Sequence, residues 1–406
     1  MRNAMTRTSW LSSVPLGLLL LTAGLRAQAQ DEAWKRHMEA ASAALQANNT
    51  NDALFALGNA MREAEKFGSE DPRLANTLTI MASFQRSQGN FVEATSMYLR
   101  ALSVRERALG EDHPEVAATL DTLATLYQDD QRLESAEPVL LRALAIREKV
   151  YGMDHPSVDA SVNRLAVVYD AQAKYGQAEA LLRRSLETRE RVLGAEGPQV
   201  AASLYNLGIL LHKQGNLADA ETLLKRSWRI REKHFGLQDL ELDRSLNGLA
   251  SIYMQQGKHS DAELLLRLSL SIRENKLGRD HPALVPVLSD LSAIQAIQDR
   301  PAEVQRLLER SIVIEEKTLG AEHPFLVPSL NNLALAHMKQ EHFAEAERTW
   351  KRLLSVQEIT SGMEHPGLVA TLNGLAEAYQ KQGRGQQAEP LLRRSQAIVE
   401  RSGAQR

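Results

Sequence analysis

The 406-residue chain contains no cysteine. That excludes disulfides, thiolate metal sites, thiol nucleophiles and a lipid anchor on cysteine, so packing alone must hold the molecule together. Aromatic residues are scarce at 5%, and no window alternates apolar and polar residues with period two, which argues against a β-rich fold. Nor is there a surplus of positive charge. The formal net charge is −3, a poor balance for a general binder of nucleic acid or anionic membrane. Linkers and low-complexity tracts are missing as well.

What the chain has is a period. Shifted by 42 residues, the segment 112–152 returns seven more times, anchored at Pro72, Pro114, Pro156, Pro198, Leu240, Pro282, Pro324 and Pro366 without insertion or deletion. Such a fixed period marks a stack of supersecondary units. Counting from the anchor, apolar residues at offsets 2, 6, 9, 10 and 13 (Val116, Leu120, Leu123, Ala124 and Tyr127 in the second unit) trace one face of a first helix. A turn follows, often with Gly at offset 17 (Gly89, Gly215, Gly257, Gly383). A second helix then carries a small residue at offset 22 (Ala94, Ala136, Ala178, Ala220, Ala262, Ala346, Ala388), which lets two helix axes approach closely.

The joints between units are equally patterned. Gly110, Gly152, Gly194, Gly236, Gly278, Gly320 and Gly362 are expected to turn left-handed behind a helix. Four residues later the proline opens the next helix at its first position, where a missing N–H costs nothing. The fifth unit replaces His-Pro by Asp239-Leu240; the sixth has Gln295 for Tyr, Val304 for Ala and Pro301 in its turn. Pro286 and Pro328 fall one turn into their helices and should weaken the first turn.

Residues 1–29 read as a secretory signal peptide: Arg2 and Arg7 form the basic region, Leu11 to Leu25 the apolar one, and Ala27-Gln28-Ala29 the cleavage site. Its removal, taking Arg26 too, reduces 48 basic residues to 45 against 51 acidic, a net charge of −6. Residues 30–68 form a degenerate N-terminal helix pair, 69–402 eight repeats of 42 residues, and 403–406 a tail. The expected location is outside the cytoplasm, periplasmic or secreted.

The pattern LxxLAxxYxxQG…AExLLxRALxIRExxLGxxHP resembles the tetratricopeptide repeat, and more narrowly the 42-residue form of kinesin light chains and their bacterial relatives. Leu204, Leu207, Gly208, Leu211, Gly215, Ala220 and Ser227 occupy framework positions, and Asn331-Asn332-Leu333-Ala334 repeats the light chain's Asn-Asn-Leu-Ala. The resemblance implies an all-α fold, an α-α superhelical solenoid whose first helices line a concave, peptide-binding groove. It does not imply kinesin, since the light chain's coiled-coil segment is missing.

The residues also select a surface. On the first helix, offsets 4, 8, 11 and 15 lie opposite the core stripe and are mostly small or uncharged, whereas the second helices are densely charged. Asn206 and Asn332, at offset 8, face fully away from the core. At offset 7 stand Asn163, Tyr205, Asn247, Asn331 and Asn373, which either hold a peptide backbone or bond inside the stack. Lys213, Lys339 and Lys381 share offset 15 and are placed to attract a carboxylate or to sit in solvent. These ten residues are the candidate partner-binding set.

Three apparent chemical motifs dissolve against the period. His113, His155, His281, His323 and His365 recur once per unit, too far apart to share a metal, and are expected to cap the turn before proline. The string from Gly383 to Ala388 has GxGxxA spacing but no strand before it, so it fails as a dinucleotide site. Glu at offset 34 occurs in all eight units, which makes it structural, a partner in an inter-repeat ion-pair network with the preceding arginine where one is present. No catalytic group, cofactor or metal site is expected. The sequence reads as a scaffold for a protein or extended peptide, with no nucleic-acid partner and no stable membrane insertion. A self-associating structural protein, and an enzyme with a site hidden in the groove, are the alternatives.

Overall fold

A computed structural model describes residues 16–404, with side chains described from 28 to 402. Residues 1–15 of the expected signal peptide and 405–406 of the expected tail lie outside the described residues. Among the described residues there are eighteen α-helices, one short 3-10 turn and no strand. The chain divides into two compact units, residues 1–188 and 189–406. The division falls inside a helix rather than at a linker.

The first unit opens with α1 (Leu16–Gln46) and α2 (Thr50–Glu65), followed by α3 (Pro72–Ser87), α4 (Phe91–Leu109), α5 (Pro114–Asp129), α6 (Leu133–Tyr151), α7 (Pro156–Ala171) and most of α8 (Tyr175–Leu193). The expected degenerate pair, residues 30–68, takes in the later part of α1 and all of α2, while α1 itself begins at Leu16, within the expected signal peptide. The Trp34 indole N–H on α1 donates to Thr77 Oγ1 at 2.9 Å, joining this pair to the first full repeat. The second unit holds α9 (Pro198–Lys213), α10 (Leu217–Phe235), α11 (Leu240–Gln255), α12 (His259–Leu277), α13 (Val285–Ile297), α14 (Pro301–Leu319), α15 (Leu326–Lys339), α16 (Phe343–Ser361), α17 (Leu368–Lys381) and α18 (Gly385–Ala404).

The periodic apolar positions form the core. Val116, Leu120, Leu123, Ala124 and Tyr127 are buried, as is every alanine at offset 22. Each such leucine contributes roughly 1.5–3 kcal/mol by leaving water, and the alanines set the close approach of each helix pair.

Helix entry follows the expected chemistry. Nδ1 of His113, His155, His281, His323 and His365 accepts the backbone N–H two residues on, at 3.1–3.2 Å. Each ring therefore carries its proton on Nε2. Asp71 and Asp239 do the same work with a carboxylate oxygen. Pro286 cannot donate to the Pro282 carbonyl, and that turn is 3-10 (Pro282–Leu284) before α13 begins. Above Pro328, α15 starts at Leu326 and not at the anchor Pro324.

Helix exit differs from expectation. Gly110 (φ 88°, ψ 155°) and Gly236 (φ 77°, ψ 169°) have positive φ but an extended ψ, so they are not in the left-handed helical conformation. The chain must leave straight to bring its proline to the next helix, and that region of the backbone map belongs essentially to glycine. The left-handed turn sits instead at offset 17. There Gly89, Gly215, Gly257 and Gly383 have φ of 73–81°, and Gln131, Ala173, Asp299 and Glu341 take φ of 57–60°.

Two further corrections concern charge. The offset-34 glutamates do not pair with the preceding arginine. The network does run between repeats, and where offset 28 of the following repeat is arginine the glutamate reaches across to it: Glu106–Arg142 and Glu148–Arg184 at 2.5 Å in the first unit, Glu190–Arg226 at 2.5 Å and Glu316–Arg352 in the second. The preceding arginine turns inward. Arg105 donates to Thr119 Oγ1 at 2.7 Å, Arg147 to Ser161 Oγ and Asp121, and Arg231 to Ser245 Oγ at 2.6 Å, so each cross-links its repeat to the hydroxyl at offset 5 of the next.

Candidate functional site

The face opposite the core is the exposed one on each first helix. In the first unit Asn76, Ala118, Ala160, Arg164 and Val167 are exposed; in the second, Asn206, Arg244, Asp290, Asn332, Leu335, Lys339, Glu377 and Lys381. Two positions depart from the stripe. Gly248 is buried, with Leu224 and Ile209 against the place a Cβ would take, and Gly374 leaves room for the Trp350 ring.

The structure separates the candidates into three groups. Asn163 Nδ2 donates to the Asp159 carbonyl at 2.8 Å and to Ser185 Oγ at 2.9 Å. Asn247 Nδ2 likewise donates to the Asp243 carbonyl at 2.8 Å and to Ser269 Oγ at 3.2 Å. These two amides are half-buried and spent inside the stack, which corrects their placement among peptide contacts. The reason is Asp at offset 3, one turn back, which with Ser at offset 29 makes a local polar triad. Asn331 is half-buried and donates to Asn332 Oδ1 at 3.3 Å. Asn206, Asn332 and Asn373 are exposed on the first-helix face, as are Lys213 and Lys381. Lys339 is exposed too, but salt-bridged to Asp299 at 2.6 Å. Tyr205 is half-buried between two guanidinium groups.

On this face in the second unit a cavity of about 360 Å³ lies between α13 and α15. Ala293, Ala296, Ile297, Val304, Leu335 and Ala336 give it an apolar lining, and Asn332, Arg300 and Lys339 bring polar groups to it. Ile297 and Leu335 are 56% and 51% exposed, well beyond what core packing would leave. The irregular sixth repeat makes the cavity: Pro301 and Val304, both departures from the period, form part of its wall. Arg300 has a long 3.8 Å ion pair with Glu263. Burial raises the carboxyl pKa of Asp290, on the same face of α13, against the pull of Arg273.

Sequence reasoning missed Arg231 and Arg244. Their guanidinium carbons lie 5.3 and 5.4 Å from the Tyr205 ring centre. Burial lowers the Arg231 pKa, Glu241 opposes that, and Arg244 adds to it. The signal was available in the sequence, because the fourth repeat has Ala201 where its neighbours have Asp159 and Asp243. Among the described residues no cluster of histidine, cysteine, aspartate and glutamate could hold a metal, and no helix is long and apolar enough to cross a membrane.

The family model described as tetratricopeptide repeat matches residues 73–149, 118–190, 157–233 and 326–401, and a second of the same description matches 244–283. No curated protein matches the sequence. Among solved structures, the tetratricopeptide repeat sensor protein PH0952 of Pyrococcus horikoshii, a signal transduction ATPase with numerous domains, is 13% identical with a TM-score of 0.58, over 90% of this chain and 52% of that one. This likeness is one of fold. A Podosopora anserina chain described as a kinesin light chain with nearly identical TPR-like repeats is 28% identical with a TM-score of 0.45, over 51% of this chain and 98% of that one. BtubC from P. vanneervenii is 22% identical with a TM-score of 0.46, over 62% of this chain and 93% of that one.

Proposed function

Because the chain belongs to the tetratricopeptide repeat family, whose repeats generally serve as protein–protein interaction scaffolds, we propose that it grips an extended segment of a partner protein along its first-helix faces. The mechanism is shape plus polar contact, without covalent chemistry. One observation carries the reading: the apolar cavity between α13 and α15, rimmed by the exposed amide of Asn332 and by Arg300 and Lys339. A side chain buried there leaves water for an apolar wall, while Asn332 meets the backbone of the same segment. The leader-like pattern of Arg2, Arg7 and Ala27-Gln28-Ala29 supports action outside the cytoplasm. N-terminal sequencing of the protein from its native compartment tests that location, and a start at Met1 would refute it.

The binding reading is tested by crosslinking capture from the native compartment with wild type, Leu335→Asp and the pair Asn206→Ala with Asn332→Ala. Leu335→Asp should abolish capture of partners that wild type recovers, and the asparagine pair should weaken it. Undiminished capture by both variants would remove the first-helix face from the account. Elution at several protein concentrations separates capture of a partner from self-association.

A further inference from the structure

On the other side of α15 from Leu335, a trough of about 310 Å³ opens between the second helices α14 and α16. Ile312 and Val313 of α14 and Leu330 and Leu333 of α15 give it an apolar floor, and Thr349 of α16 stands along one wall. Three departures from the 42-residue period meet there. Thr349 occupies a position where the other seven repeats carry methionine, valine or leucine, as at Leu307 and Leu391, so the side chain that fills this place elsewhere is cut short. Val313, 46% exposed, stands where the other repeats have serine, alanine or a charged residue. Glu309 replaces a base: from the third repeat on, the same position otherwise holds Arg183, Lys225, Arg267, Lys351 and Arg393.

The charges on the rim do not cancel. Arg348 pairs with Glu345 at 2.8 Å, and Arg352 pairs with Glu316. Glu309 is exposed and accepts a hydrogen bond from the Gln305 side-chain amide at 2.8 Å, but among the described residues no cation lies within ion-pairing distance of it. The Thr349 hydroxyl donates to the Glu345 carbonyl of its own helix at 2.9 Å, so its hydrogen is already placed. The trough therefore lacks apolar contact along its floor and a positive charge at its rim. A lysine or arginine side chain supplies both, an apolar stem ending in a cation. Because the trough is open along its solvent side, it suits a side chain reaching in from a polypeptide that lies across α14 and α16.

We propose that this trough is a second docking surface, which takes a lysine or arginine side chain of a partner protein with its head on Glu309 and its stem on Ile312, Val313 and Leu330. An exposed ion pair alone contributes little; the stem leaving water for the apolar floor supplies the rest. The surface is independent of the first-helix face, and it stands whether or not that face grips a segment of its own.

The test titrates the full chain separately with N-acetyl-lysine amide, N-acetyl-norleucine amide and methylammonium, reading the Val313 methyl chemical shifts. Norleucine keeps the stem without the charge, and methylammonium keeps the charge without the stem. The lysine amide should give saturable shifts, and each control should bind about tenfold more weakly. Glu309→Gln should weaken the lysine amide about tenfold. Thr349→Leu restores the apolar residue of the other repeats; it should abolish the response and raise the melting temperature. Leu335→Asp, on the far side of α15, should leave the response unchanged, so failure of the first-helix face is read separately from failure of this one. Equal response to the norleucine amide overturns the charge assignment, and equal response to methylammonium overturns the stem contact. Undiminished affinity in Glu309→Gln and Thr349→Leu overturns the site. A wild-type dimer, seen by elution at several protein concentrations and dissolved by Thr349→Leu, would put a second copy of this chain in the trough and overturn the separate partner.

Discussion

The hydroxyl of Thr371 donates to Gln357 Oε1 across 2.6 Å, closing the joint between the seventh and eighth repeats with a neutral pair. One repeat earlier the same position holds Glu315, which is 7% exposed, receives a 3.3 Å bond from Ser329 and leaves Oε2 without a partner. The first five repeats put arginine there. Burial raises the Glu315 pKa above its usual 4.5, and Ser329 only partly counters this.

Glu315→Gln should therefore stabilise the protein at neutral pH by about 1–2 kcal/mol, the penalty of an unsatisfied buried carboxylate. The sign follows from linkage. A folded-state pKa above the unfolded one makes the ionised form the costly one, so the penalty is full above the folded pKa and fades as pH falls through it. Urea unfolding at pH 7 and pH 4 checks both parts, with the gap between variant and wild type expected to narrow at pH 4.

Ala173 occupies a left-handed backbone conformation with φ 57°, where Gly215 and Gly257 stand at φ 81° and 74° in equivalent turns. A Cβ in that region crowds the backbone at roughly 1–2 kcal/mol, of which the extra entropy of an unfolded glycine cancels part. Ala173→Gly should gain about 0.5–1 kcal/mol, and Gly215→Ala should lose a similar amount. Thermal melts of the two single variants in parallel decide it.

These two cases mark where the sequence was readable. The alanines at offset 22 and the histidines before proline act within a few residues of themselves, so their spacing alone located a close helix approach and an N-terminal cap. The glutamates at offset 34 were legible as members of an inter-repeat ion-pair network but were given the wrong arginine, because Glu148 meets Arg184, 36 residues away. That contact depends on how one repeat docks on the next. For the same reason the sequence left Asn163 and Asn247 open between a peptide contact and a bond inside the stack: the serines that engage them sit 22 residues on, on another helix. The cavity beside Asn332 was foreshadowed by Pro301 and Val304, but an irregular repeat does not reveal from sequence whether it opens space or closes it.

Acid should unfold the protein partly through Glu347. Burial pushes this carboxyl up, but hydrogen bonds from Lys351, Gln382 and Arg384 outweigh it and hold the pKa down at about 2, against a usual 4.5. A depressed folded pKa contributes stability that is present above the unfolded value and lost as pH falls from 4.5 towards 2. Glu347→Gln should lower stability at pH 7 and flatten its decline across that acid window. Denaturation curves between pH 2 and pH 7 test this, and parallel declines in the two proteins would contradict it.

Gly374 and Trp350 fit only as a pair. A Cβ built on Gly374 would lie 2.6 Å from two carbons of the Trp350 ring, and Trp350 is buried at 2% exposure. Gly374→Ala should cost about 1–3 kcal/mol by overpacking. One repeat back, Leu308 stands where Trp350 does and Asn332 where Gly374 does, so a leucine leaves room there for a side chain. The indole N–H of Trp350 has no hydrogen-bond partner, so its loss leaves no polar atom stranded. Trp350→Leu alone opens a cavity and destabilises, but combined with Gly374→Ala it should cost less than the two single losses together. A double-mutant cycle by urea unfolding measures that coupling; simple additivity would mean that the ring and the glycine are not held against each other.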